Sequence, residues 1–226
     1  MKQLLIILSL CGCFWSAVAQ KTPKNFLPIQ QKIQTWVDSG YYDGASIVVF
    51  QNNQILYKQY FRTYLPETVV YVASAGKWLA AATIAVLVDE GKLHWEDKVN
   101  HWLLEFTDAK GEATLAQLLS HTAGYPDYQP QSNPVDISQD LKSSVDNILP
   151  LPPDTLSGTK FKYGGLAMQV AGRMAEIATG KSWKKLFQEK IAHPLEMTQT
   201  HFTPVDSAGG HAPMLGGGAR STNSPT

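Results

Sequence analysis

Thr68-Val-Val-Tyr-Val-Ala-Ser-Ala-Gly-Lys-Trp-Leu-Ala-Ala-Ala-Thr-Ile-Ala-Val-Leu-Val-Asp-Glu-Gly91 is the stretch on which the fold turns. Residues 68–73 are strand-like, rich in β-branched side chains. From residue 74 to residue 90 the pattern becomes that of a long helix. Trp78, Leu79, Ala82, Ile84, Ala85, Val86 and Leu87 leave it hardly any polar face. A helix that is apolar nearly all round is central rather than peripheral. Gly91 suits the left-handed residue that ends such a helix. Within it Lys77 is an expensive charge, with no adjacent carboxylate in sequence.

Upstream, residues 45–50 are a short apolar run, Asn52-Asn53 signals a turn, and residues 55–61 resume an extended pattern. That predicts a β-hairpin. A lone hairpin is not stable in water, so further strands are required. Residues 23–39 predict a first helix, with Phe26, Ile29, Ile33, Trp36 and Val37 at helical spacing and Gly40 as its stop. Downstream, helices are predicted over 114–120, 165–179 and 182–191. Residues 127–153 are polar, proline-punctuated and irregular. Residues 209–226 are rich in glycine, serine and threonine and hold no strand or helix pattern. Two early strands followed by a long helical section predict an unfinished sheet, and hence a chain short of its C-terminal strands.

The 226 residues carry a formal net charge of zero, and 44% are hydrophobic. Length predicts one domain with a core of its own. The balanced charge offers no footprint for nucleic acid. Met1-Lys2, an apolar run over 4–15 and the small-x-small site Ala17-Val18-Ala19 read as a signal peptide over 1–19, cut after Ala19, with the mature chain over 20–226. The protein is therefore expected to be secreted or periplasmic. Both cysteines, Cys11 and Cys13, fall inside the leader. The mature chain then has no disulfide, thiolate metal site or cysteine nucleophile. A membrane anchor is not expected. Leu10-Cys11-Gly12-Cys13 loosely resembles a lipobox, which leaves lipidation of Cys13 open.

Serine is a weak nucleophile until a base takes its proton. A lysine three residues on along a helix lies on the same face, and S-x-x-K carries that chemistry. The pattern occurs at Ser74–Lys77, Ser157–Lys160 and Ser182–Lys185. The second lies in a turn-like stretch. The third opens a charged amphipathic helix, where Ser182 is a good N-cap and Lys185 is solvated. Only Ser74 sits where an extended run enters a buried helix. Spacing alone leaves a second reading open, in which Ser74 caps a core helix and Lys77 snorkels to solvent.

Further stretches break that tie. Tyr71-Val-Ala-Ser-Ala-Gly-Lys-Trp-Leu with Leu87-Val-Asp-Glu-Gly-Lys-Leu resembles the nucleophile helix of class C β-lactamase-related serine hydrolases, the group of β-lactamases, penicillin-binding proteins and family VIII esterases. Ala116-Gln-Leu-Leu-Ser-His-Thr-Ala-Gly-Tyr-Pro-Asp127 resembles the same family's helix and H-T-S-G turn. Phe161-Lys-Tyr-Gly-Gly is similar to its tyrosine motif. Residues 166–180, His193-Pro-Leu-Glu-Met-Thr-Gln-Thr-His-Phe202 and Gly216-Gly-Gly-Ala-Arg-Ser-Thr222 continue the match in order.

The resemblance implies an α+β fold of the β-lactamase/transpeptidase type. That is an antiparallel sheet flanked by helices with an inserted helical lobe, here mainly residues 74–200. It implies that Ser74 is acylated and that Lys77 and Tyr163 share the general-base work, with no cofactor and no metal. Implied substrates are esters, β-lactams or D-amino-acid peptides. In two places the sequence departs from the family. The tyrosine motif usually reads Y-x-N, and its third place here is Gly165, which offers only backbone and favours small esters over amides. The late K-T-G or H-x-G strand, which normally gives one oxyanion-hole N–H, is not found after Tyr163. A non-catalytic fragment or pseudoenzyme that binds cell-wall peptide is the alternative. His121 is expected to shape its turn. The six histidines show no metal-binding spacing, and Glu96 and Asp97 read as a solvated loop.

Overall fold

The computed structural model describes residues 24–70, 72–126 and 140–202. The predicted leader with its two cysteines, the segment 127–139 and the glycine-rich stretch 209–226 lie outside the described residues. The chain divides into two compact units, one up to Thr68 and one from Val69.

The first unit is a helix on a hairpin. A 3-10 turn, Lys24–Phe26, leads into α1 (Leu27–Asp38). Strands β1 (Gly44–Gln51) and β2 (Gln54–Arg62) pair antiparallel, Gly44 opposite Arg62 and Gln51 opposite Gln54. Asn52 and Asn53 take φ of 49° and 58°, the left-handed pair that a tight hairpin turn needs and that asparagine tolerates. Val37 from the helix and Tyr57 and Phe61 from β2 are buried, and Phe26 stacks on Tyr57 with ring centroids 5.0 Å apart.

The second unit is helical and holds the larger core. After a 3-10 turn, Ala73–Gly76, come α2 (Lys77–Asp89), α3 (Val99–Trp102), α4 (Leu115–Leu119), α5 (Leu141–Ile148), α6 (Leu166–Thr179) and α7 (Trp183–Phe187). α6 packs against α2, α3, α4, α5 and α7. Its residues from Leu166 to Gly172 are all buried, and Gly180 ends it at φ 66°. Small side chains, Ala167, Ala171 and Ala175, let the neighbours approach it. α4 is only five residues long, yet its start is fixed by a capping box. The Thr114 hydroxyl accepts from Gln117 N–H while the Gln117 side chain accepts from Thr114 N–H. Antiparallel strands and packed helices together give the predicted α+β class.

Three expectations need correction, and a fourth, the helix over 182–191, is present with a change of winding. Residues 68–70 and Val72 form no strand; among the described residues the sheet has only β1 and β2, so this stretch has no ladder to join. The helix read from residue 74 is α-helical only from Lys77, and Trp78 projects outward at 67% exposure, so α6 is the more enclosed helix. Helix α5 stands inside the segment read as irregular. Asp140 caps it by accepting from Ser143 N–H at 2.8 Å, and Leu141, Val145 and Ile148 face the core at helical spacing. The amphipathic helix over 182–191 is α7 followed by a π-type turn, Gln188–Ala192.

Candidate active site

The 3-10 turn Ala73–Gly76 carries Ser74, and α2 begins with Lys77. At three residues per turn, side chains at i and i+3 eclipse, so the serine and the lysine stand one above the other. Lys77 N–H donates to the Ser74 carbonyl, and Lys77 Nζ donates to Ser74 Oγ at 2.9 Å. Lys77 is 8% exposed, and among the described residues no carboxylate pairs with it. Ser74 itself is exposed.

Tyr163 comes from the segment before α6, and Lys77 Nζ lies 5.0 Å from its ring centroid. Hydrogen bonding with Ser74, then with Lys77, holds the phenol below the ordinary tyrosine value; burial opposes this, and the Lys77 charge adds to it. The same interactions favour the phenolate of Tyr163, and a phenolate beside a serine hydroxyl can accept its proton. The structure therefore brings Ser74, Lys77 and Tyr163 together.

Two loops support the group. Residues 121–126 follow α4, with His121 at φ 58° and Gly124 at φ 73°. They lie along residues 154–162. Gly158 N–H donates to Thr122 O at 2.7 Å, Asp154 N–H to Gly124 O at 2.9 Å and Lys162 N–H to His121 O at 2.7 Å. Ser157 Oγ donates to Ala123 O at 2.9 Å, which settles the second S-x-x-K match as a loop tie. The third match is a helix cap: Ser182 Oγ accepts from Lys185 N–H at 3.4 Å, and Lys185 reaches Glu189 instead. Beneath the first loop, the Tyr125 hydroxyl donates to Lys110 O at 3.2 Å. The fully buried Lys110 ammonium pairs with Asp108 and donates to Leu151 O at 2.6 Å.

Sequence reasoning passed over three features. Asp97 is not a solvated loop residue, because it accepts from His94 N–H at 2.9 Å and Trp102 Nε1 at 3.1 Å. The Lys110–Asp108 pair has no local signature. His121 does more than shape a turn. Its ring lies 4.7 Å from that of Tyr163 and 6.0 Å from that of Phe161. Among the described residues no group of three or more His, Cys, Asp and Glu could hold a metal, and no helix is long and apolar enough to cross a membrane. Gly165, the place where a Y-x-N motif has its asparagine, is the buried N-cap of α6 and offers only backbone.

A family model described as Beta-lactamase matches residues 29–222. The chain belongs to the β-lactamase family. Among solved structures it is similar to a "putative beta-lactamase" from Bacteroides dorei DSM 17855, at 49% identity and TM-score 0.81, covering 86% of this chain and 59% of that one. It is also similar to EstCE1, "a hydrolase with promiscuous acyltransferase activity", at 25% identity and TM-score 0.69, covering 79% and 53%. A curated relative, "Putative D-alanyl-D-alanine carboxypeptidase" of Escherichia coli K12, is 27% identical over 91% of this chain and 56% of its own length. The chain thus spans about half the length of the curated relatives it matches. The fold is of the β-lactamase/transpeptidase type, and several of its relatives are named as hydrolases.

Proposed function

We propose that this chain carries the acyl-transfer centre of an exported serine hydrolase, with Ser74 as the acylated residue and Lys77 and Tyr163 sharing its proton. The observation that carries the reading is the 2.9 Å contact from Lys77 Nζ to Ser74 Oγ, made beside a phenol whose proton affinity the same two residues depress. As Ser74 Oγ attacks a carbonyl carbon, its proton passes to Tyr163 or through it to Lys77. The same proton then protonates the leaving group, and water attacks the acyl-serine by the reverse route. On the first route Tyr163 starts as a phenolate stabilised by the Lys77 ammonium; on the second a neutral Tyr163 relays the proton to Lys77 as the free amine.

Small esters are the first substrate class, since Gly165 presents no side-chain amide to a substrate amide. The acyltransferase activity named for EstCE1 supports the same choice. β-Lactams and D-amino-acid peptides come next, the latter supported by the carboxypeptidase named among the curated relatives. The charged start, apolar run and Ala17-Val18-Ala19 site support export with cleavage after Ala19. A fluorophosphonate or labelled penicillin should mark the full-length protein at Ser74, and Ser74→Ala should abolish both labelling and ester turnover. Labelling that persists in Ser74→Ala rejects the assignment.

A further inference from the structure

His121 touches the proposed centre without belonging to it. Its carbonyl accepts the Lys162 N–H at 2.7 Å, which fixes the backbone of the residue just before Tyr163. Its ring then meets the rings of Phe161 and Tyr163, at 6.0 Å and 4.7 Å. Those two rings, two residues apart in sequence, both contact the one imidazole, which braces them together. The ring starts from a fixed point, because His121 holds a left-handed φ of 58° that few non-glycine residues adopt. Tyr163 needs such a brace, being 44% exposed and outside any helix or strand.

The imidazole is held in its neutral form. His121 Nδ1 is buried and has no hydrogen-bond partner. Burial first, and the Lys77 charge second, hold the ring below the ordinary histidine value. An imidazolium would set a second cation beside the ammonium of Lys77. The other nearby cation, Lys162, pairs with Asp154 at 2.8 Å. A neutral ring is what this position favours.

We propose that His121 is a positioning residue for Tyr163, its ring wedged against the phenol so that the hydroxyl stays in register with Ser74 and Lys77. The proposal rests on the acyl-transfer reading above. A misplacement of about 1 Å in such a centre costs on the order of 100-fold in rate.

The test uses the full-length protein. His121→Asn removes the ring and keeps a residue that tolerates the left-handed backbone; His121→Phe keeps a ring and removes the nitrogens. In His121→Asn, kcat for a small ester should fall roughly 10- to 100-fold with KM little changed. The Tyr163 phenol, followed by NMR of 13Cζ-labelled tyrosine, should titrate higher, toward the ordinary value of about 10. His121→Phe should recover most of both. In a Tyr163→Phe background, His121→Asn should add no further loss. An unchanged Tyr163 titration in His121→Asn overturns the proposal. So do equal losses in the two variants, or the loss of a cooperative melt in both. If His121→Phe alone fails to fold, the titration of His121→Asn decides. Turnover that survives Ser74→Ala would remove the acyl-transfer reading, while the Tyr163 titration would still judge His121.

Discussion

Gly124→Ala should damage both stability and activity, and the structure gives the size of the effect. Gly124 holds φ 73°, where an alanine costs about 1–2 kcal/mol. A Cβ built there would lie 2.1 Å from Thr155 O and 2.9 Å from Thr155 C, when 3.0 Å is already closer than real Cβ atoms come. The clash is with backbone, so the two loops must part by about 1 Å, the difference between 2.1 Å and 3.0 Å. Gly124 O accepts from Asp154 N–H at 2.9 Å and Thr155 N–H at 3.4 Å, and both bonds stretch as the loops part. Weakening them costs a further ~1 kcal/mol or more. The sum is about 3 kcal/mol, a large part of the roughly 5–15 kcal/mol that stabilises a domain. Because His121 and Tyr163 lie on the same pair of loops, ester turnover at temperatures below the melt should fall as well. Equilibrium urea unfolding and kcat/KM on the full-length protein measure the two effects. A loss below about 1 kcal/mol with unchanged kcat/KM would show that the loops separate freely, and would refute the argument.

Two more predictions concern charge. Activity that depends on the Tyr163 phenolate should rise with pH and reach its plateau below the ordinary tyrosine value, because Ser74 and Lys77 hold the phenol down; Tyr163→Phe should cost roughly 100- to 10,000-fold in kcat and abolish that limb, as a pH–rate profile will show. For the Lys110–Asp108 pair, in which the lysine is enclosed and the carboxylate 42% exposed, Asp108→Ala should destabilise by about 1–3 kcal/mol because the Lys110 ammonium keeps only Leu151 O as partner, whereas Lys110→Met removes the charge, keeps the stem volume and should cost clearly less; urea midpoints in the reverse order would contradict this.

The elements that sequence rendered legible are those whose signals are local. The hairpin announced itself through alternation around Asn52-Asn53, and α6 through an apolar face closed by Gly180. Helix α5 stayed hidden because Asp140, Lys142, Ser143 and Asp146 make it polar on average, with prolines close behind; the spacing of Leu141, Val145 and Ile148 was its one local signal and went unread. The chemistry divided the same way. Ser74 and Lys77 are a local pair, selected from three matches by the apolar run that follows them. Tyr163 could be joined to them only through a family resemblance, since no rule of spacing links residues so far apart. The contact of His121 with Tyr163 was illegible for that reason, although a histidine just past a capped short helix is a fair candidate for left-handed backbone.

The tight turn that carries Ser74 has a practical consequence for pattern searching. Had residues 73–77 been wound at 100° per step, serine and lysine would sit roughly 60° apart in azimuth rather than in line. The string S-x-x-K therefore names residues without stating whether they face each other. Within this one chain it picks out a reactive-looking pair, a loop tie at Ser157 and a helix cap at Ser182. A search for such hydrolases therefore gains from backbone torsion at the serine, since an i→i+3 turn that hands over to a helix at the lysine brings the two side chains into line.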